Sequence, residues 1–368
     1  MSNRIGNCIS FTLFGESHGA EIGMLADGLP AGIPIDDAFI QKQLYRRRPS
    51  GKISTARVDT DEYRIVSGVF NGYTTGAPLC LLIPNSNTNS KDYEGLIYHP
   101  RPGHADYTAL VKYGGYSDYR GGGHFSGRLT AALTAMGAIV QSALKAKGIE
   151  IGAHISAIGN IKDKSFTPTA EELALTKEGF PVIDSDVGEE MKAYIAEVAA
   201  EGDSVGGVIE LAVLGVPAGV GEPWFDGAEN AIARGMFGIP AVKGIEFGAG
   251  FGFGVLKGSE AKDAFDMQQG RVMTKTNNNG GINGGITNGM PLVYRVAVKP
   301  TPSIYKRQET LNLRTEKEET LQIQGRHDPA IIHRAVPVTE GVSALVLADL
   351  LAQQYGTSWL VPEKENRV

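Results

Sequence analysis

Residues 101–128, RPGHADYTALVKYGGYSDYRGGGHFSGR, gather three arginines, two histidines and seven glycines. Guanidinium groups pair with phosphate or carboxylate oxygens, and imidazoles move protons near neutral pH, so this mixture suits chemistry on an anion. Tyr119-Arg120-Gly121-Gly122-Gly123-His124-Phe125-Ser126 leads directly into Leu129, Ala132, Leu133, Met136, Val140 and Leu144, which recur at helical spacing. Ser126 is placed to cap that helix, and the glycines form the turn into it. Such a turn leaves backbone N–H groups free to cradle a phosphate or carboxylate. Arg128, in the first helical turn, opposes the helix dipole unless an anion sits between them. A flexible loop with a solvated arginine accounts for these residues equally well at this point.

Two other clusters carry reactive groups. Gly15-Glu16-Ser17-His18-Gly19 fits the G-x-S-x-G elbow of serine hydrolases, with Ser17 as nucleophile. That elbow needs a strand, a sharp turn and then a helix, whereas AEIGMLADGLP after Gly19 has Gly23, Gly28, Pro30 and no helical period. The match is read as coincidental. Arg46, Arg47 and Arg48 close a helix that Asp36 and Asp37 open and that carries Phe39, Ile40 and Leu44. Arginine complements a helix C-terminus, and neighbouring positions point about 100° apart, so at most one or two can face a common site. The run GAGFGFG at 248–254 has Phe253 where a dinucleotide fingerprint needs glycine.

The elements that must position these groups follow from periodicity. Strands are expected at 8–14, 22–26, 63–70, 78–83, 149–158, 205–214 and 292–298. Helices are expected from Asp36, near Ser126, at 168–177, 187–201 and 226–236, and at the C-terminus through Val342, Leu345, Val346, Asp349 and Leu350. Asn/Gly-rich 277–289 reads as a turn. No composition break marks a linker, which favours one domain over 1–368 of α/β class, antiparallel sheets with helices against them.

With 368 residues, 42% of them apolar, the chain can bury a substantial core. A net charge of −6 argues against a general role on nucleic acid or a membrane surface, so anion binding has to be local. Cys8 and Cys80 are too few for a disulfide framework, and no Cys/His spacing suggests zinc. Neither a secretory leader nor an apolar run of membrane length is read, and a cytoplasmic protein is expected.

Five separated motifs now carry a resemblance. GESHG at 15–19, RPGHADYT at 101–108, DYRGGGHFSGR at 118–128, KPTPSI at 299–304 and GRHDPAIIHRAVPV at 325–338 resemble the chorismate synthase family, and GVPAGVGEP and AVKGIEFGAGF extend the likeness over nearly the whole chain. The resemblance implies a β-α-β sandwich, a homotetramer and the short, monofunctional kind of enzyme, which takes reduced FMN from an external source and lacks an evident NADPH-dependent flavin reductase. It also implies an anti-1,4-elimination of phosphate from 5-enolpyruvylshikimate-3-phosphate to give chorismate. A flavin-binding protein without catalysis is the alternative.

By similarity, His18 protonates the departing phosphate, His104 serves the reduced flavin, and Asp328 assists near flavin N5. The substrate's phosphate and two carboxylates would meet Arg47, Lys52, Arg101, Arg128 and Arg326, with Ser17 and Ser126 as hydrogen-bonding partners. FMN would meet His124, Phe125, Ser126, Pro240, Ala241, Gly284, Lys299, Pro300, Thr301, Pro302, Ser303 and Arg326. Two positions depart from the family's pattern. His124-Phe125-Ser126-Gly127-Arg128 stands where members often have Arg-Ser-Ser-Ala-Arg, and Lys52 aligns, across a gap, with a clamp arginine.

Overall fold

The computed structural model describes residues 3–49, 53–54, 60–86, 97–323 and 328–363. Two five-stranded sheets frame it, and every pairing within them is antiparallel. The first runs Arg4–Ile5, Ser10–Gly15, Glu21–Asp27, Leu79–Pro84, Arg64–Ser67; the second runs Val242–Phe247, Leu292–Val298, Gly207–Leu214, Glu150–Ile158, Ile161–Lys162. Alternation decides which face is covered: along Leu292–Val298 buried and half-buried residues alternate without a break, so one face belongs to the core.

The helices are α1 (Asp37–Arg47), α2 (Asp106–Tyr113), α3 (Thr130–Lys145), α4 (Ala170–Leu175), α5 (Ser185–Ala200), α6 (Ala228–Phe237), α7 (Gly258–Ala261) and α8 (Ile332–Tyr355). Asp36 caps α1 by accepting from the Phe39 N–H at 3.0 Å. α3 packs on the Glu21–Asp27 and Leu79–Pro84 strands, α8 packs on Glu150–Ile158 and Gly207–Leu214, and α3 and α8 pack on each other. The order is sheet, helices, sheet, which is the β-α-β sandwich of antiparallel sheets that the resemblance implied. A single hydrophobic cluster draws on residues from Ile9 to Leu360.

The α3–α8 crossing is close because both helices lack a side chain where they meet. A Cβ on Gly137 would come within 2.4 Å of Gly341 Cα. α8 is long and apolar enough to cross a membrane by composition, contrary to the expectation of no such run. Its apolar window is wholly buried here, which is the pattern of a helix enclosed by two layers. Asp349 of α8 accepts from the backbone N–H groups of Asn7, Cys8 and Ile9 at 2.9, 2.8 and 2.9 Å, fixing the chain that enters Ser10–Gly15 and hence the turn at 15–19.

Some expected elements are altered. The 63–70 strand breaks at Gly68, whose φ of +84° no strand residue adopts, into Arg64–Ser67 and Val69–Phe70. The 168–177 helix shrinks to α4, where Thr169 caps by accepting from the Glu172 N–H. α2 was not expected, since Ala109 is its one buried residue and no apolar stripe announces it.

Candidate active site

A cleft of about 1010 Å³ opens beside α3, α8 and the glycine turn. Its walls include Arg47, Arg101, His104, His124, Phe125, Ser126, Arg128, Pro240, Ala241, Lys299, Thr301, Pro302, Ser303 and Asp328, so most of the expected substrate and flavin residues meet in one place. Gly284 lies instead in the Ile282–Asn283/Ile286–Thr287 hairpin, which does not line the cleft. Pro300 packs against Gly206, where a Cβ would come within 2.9 Å of its Cδ. Lys52 and Arg326 lie outside the described residues.

The glycine turn is built from left-handed backbone, with φ of 61° at Gly121, 82° at Gly122 and 53° at Gly123. Only glycine adopts three such values in succession at little cost. The same turn separates the two histidines assigned to proton transfer. A Cβ on Gly121 would lie 2.5 Å from His18 Nε2 and 2.9 Å from Ser17 Oγ; one on Gly122 would lie 3.4 Å from His104 Nε2. Ser17 is buried and its N–H donates to Gly123 O at 3.0 Å. Gly15-Glu16-Ser17-His18-Gly19 joins two antiparallel strands, so the strand–turn–helix elbow of a serine hydrolase is absent. Beyond His18, Arg120 grips Asp118 through Nε and Nη2, both at 2.8 Å. Those hydrogen bonds, with a smaller contribution from the nearby His18, hold the Asp118 carboxyl below the usual range.

As expected, Ser126 caps the next segment, accepting from the Arg128 N–H at 3.3 Å. A 3₁₀ turn, Gly127–Leu129, intervenes before α3 begins. The anion demanded by Arg128 is present within the protein, and it is Asp61. Its Oδ1 accepts from Arg128 Nη1, and its Oδ2 accepts from Arg47 Nη1 at 2.9 Å. Arg47 also donates to Thr130 Oγ1 at 3.0 Å and Gly127 O at 3.2 Å, and Arg128 to Asn85 Oδ1 and Pro84 O, both at 3.0 Å. Of the three consecutive arginines only Arg47 reaches the cleft. Arg46 turns to buried Glu340 and Arg48 to the Thr60 carbonyl.

Arg101 is buried against Asp106: Nε donates to Oδ2 and Nη2 to Oδ1, both at 2.8 Å, while Nη1 donates to Ser303 Oγ at 3.3 Å. Asp106 also lies 2.5 Å from His104 Nδ1. Burial opposes ionisation of Asp106, yet the hydrogen bonds from Arg101 and His104 outweigh it and hold the carboxyl far below its ordinary range. Asp328 pairs with Arg334 Nη1, and Arg334 Nε donates to Arg47 O at 3.0 Å, tying the start of α8 to the end of α1.

On the flavin side, His124 Nδ1 lies 2.7 Å from the Gly15 carbonyl, which only a protonated Nδ1 can satisfy, so its Nε2 is the remaining nitrogen. Lys299 Nζ donates to Gly103 O and its N–H to Ala241 O. Ala241 is held at a φ of 72°, unusual for a residue with a Cβ. Thr301 Oγ1 is buried on the cleft wall and finds no partner among the described residues.

Asp61 and Asp106 were missed by sequence reasoning. Asp106 had a local signal, an acid two residues after His104 in HAD; Asp61 had none, being far in sequence from Arg128.

Sheets enclosing helices, with His104, His124 and buried guanidinium groups at one cleft, define an α/β protein with a site for a small molecule. A family model described as chorismate synthase matches residues 9–352. Chorismate synthases from Pyrococcus abyssi and Thermococcus gammatolerans are 47% and 48% identical over 346 and 349 residues, covering 94% and 95% of this chain and 96% and 97% of theirs. That of Dehalococcoides mccartyi is 46% identical over 353 residues, covering 95% of this chain and 96% of its own. A solved chorismate synthase crystal structure, 31% identical, superposes with a TM-score of 0.74 over 95% of this chain and 94% of that one. The chain belongs to the chorismate synthase family, and is a chorismate-forming lyase of the shikimate pathway.

Proposed function

We propose that the cleft converts 5-enolpyruvylshikimate-3-phosphate to chorismate by anti-1,4-elimination of phosphate, with reduced FMN as cofactor. The observation that carries this reading is the placement of His18 and His104 against successive glycines of one turn, His104 lining the cleft with Arg47 and Arg128 and His18 set against Gly121 at its edge without lining it.

The residues fit the flavin. Thr301 Oγ1 is an orphaned buried donor in the wall, Phe125 offers an aromatic face, and Lys299 and Ser303 stand beside it. His124, Phe125, Ser126, Pro240, Ala241, Lys299 and Thr301 would hold the group. Reduced flavin, when bound, supplies an electron transiently and takes it back, because the ring hydrogen is too weakly acidic for a side-chain base.

The chain's own residues bind, orient and move protons. His18 carries the proton given to the departing phosphate oxygen, with Asp118 nearby. His104 turns Nε2 toward the glycine turn, where it exchanges a proton with the flavin side. Arg47 and Arg128 present fixed guanidinium edges to the substrate's anionic groups, where a fork is worth more than a point charge. Asp328 is held at the cleft by Arg334. The reading includes one domain over 1–368, an external source of reduced flavin and a cytoplasmic homotetramer; exposed Trp224, Phe225 and Phe251 are the surface a second copy would cover.

The test is anaerobic. Protein with 5-enolpyruvylshikimate-3-phosphate and chemically reduced FMN is expected to release phosphate and develop chorismate absorbance. Absence of both overturns the reading, and flavin binding without turnover would favour the non-catalytic alternative.

A further inference from the structure

We infer that Asp106 is the positioning residue of His104, fixing the tautomer in which Nδ1 carries the proton. The inference rests on the proposed proton-handling role of His104.

The geometry sets up a contest at His104 Nδ1. Asp106 Oδ1 lies 2.5 Å away and Arg101 Nη2 lies 3.0 Å away. An ionised carboxylate accepts only, so it demands a proton on Nδ1; a guanidinium donates only, so it demands a lone pair there. The shorter, charge-assisted contact wins. Arg101 Nη2 is meanwhile satisfied by the same Asp106 Oδ1 at 2.8 Å, and the Arg101 N–H by Oδ2 at 3.0 Å. With its proton on Nδ1, the neutral ring presents Nε2 as a lone pair toward Gly122, and gaining a proton there makes the imidazolium.

Other groups around the ring do not decide the contest. Lys299, from the 299–303 segment, is engaged with the Gly103 carbonyl. Asp118, paired with Arg120, and His18 and His124 lie across the glycine turn. Arg101 Nη1 goes to Ser303 Oγ, so all three of its nitrogens have partners within the protein. So engaged, Arg101 orients the Asp106 carboxylate beside the ring.

Without the Asp106 charge, Arg101 faces Nδ1 unopposed and donates to its lone pair. The neutral ring then carries its proton on Nε2.

Nitrogen-15 histidine spectra of the full chain across pH test this, with His104→Gln to assign the signal. Wild type is expected to show the Nδ1–H neutral tautomer. Asp106→Asn is expected to show the Nε2–H neutral tautomer instead, and to lose turnover about tenfold with little change in KM. Asp106→Glu should restore much of the wild-type profile. An Nε2–H tautomer in wild type overturns the proposal whether or not any variant folds, as does an unchanged tautomer in folded Asp106→Asn. Failure of the wild-type protein to make chorismate sinks the functional reading instead, independently of these spectra.

Discussion

The Asp61 carboxylate accepts from Nη1 of Arg128 where the two side chains are 1% and 5% exposed, and its second oxygen takes Arg47. The charge between the two arginines is thus already present before any substrate arrives. Asp61→Asn leaves two buried guanidinium groups facing an amide, and breaking a buried pair costs about 3 kcal/mol. The variant should unfold at lower temperature and recover more than wild type does in sulfate or phosphate, because an anion binding the folded state stabilises it. Equal responses of the two proteins to sulfate, followed by thermal unfolding, would show that the arginine pair does not seek an anion.

Gly121 has no room for a side chain. An added Cβ meets His18 Cδ2 at 2.4 Å, in backbone whose φ of +61° already disfavours alanine. Gly121→Ala should cost only about 1 kcal/mol in backbone strain. Displacing the imidazole by about 1 Å should lower turnover on the order of a hundredfold. Steady-state kinetics beside thermal melts separate the two, and wild-type kcat in the variant would refute the placement of His18.

Gly137→Ala tests the helical layer. The new methyl would sit 2.4 Å from Gly341 Cα, a backbone atom that cannot rotate away, so α3 and α8 must part. Overpacking of this kind costs roughly 1–3 kcal/mol, measurable by urea unfolding. Gly127→Ala, which meets nothing within 4 Å, serves as the control.

His154 supplies a pH dependence remote from the cleft. It is buried with Nδ1 3.1 Å from Asp163 and Nε2 3.1 Å from Glu210, so both nitrogens face carboxylates. Burial pulls its pKa down, but the two carboxylates prevail and hold it above the ordinary value. A raised folded-state pKa means stability that is fully present below the unfolded value near 6.5 and lost as pH climbs through the folded one, by up to about 1.4 kcal/mol per pH unit. Urea midpoints should therefore fall above about pH 6.5 in wild type and stay flat over that window in His154→Gln. A flat wild-type profile there contradicts the buried imidazolium.

Local chemistry in the sequence determined a good part of this protein. Apolar alternation marked Leu292–Val298 to the residue, and Asp36 and Ser126 announced the helix starts they cap. The triple glycine declared its left-handed turn, because no other residue adopts it so readily. Motif resemblance named the family, and many of the residues it pointed to line the cleft, though Ser17, His18, Gly284 and Pro300 do not. What the tertiary structure alone decided is who neutralises whom. Arg46, Arg47 and Arg48 are equivalent as letters, yet Glu340 takes the first and the cleft the second. Asp61 reaches Arg128 only because the first sheet and α3 bring them together, and Asp106 holds Arg101 and His104 side by side. Long-range ion pairing has no sequence period, so it becomes visible only once packing has fixed which charges are buried side by side.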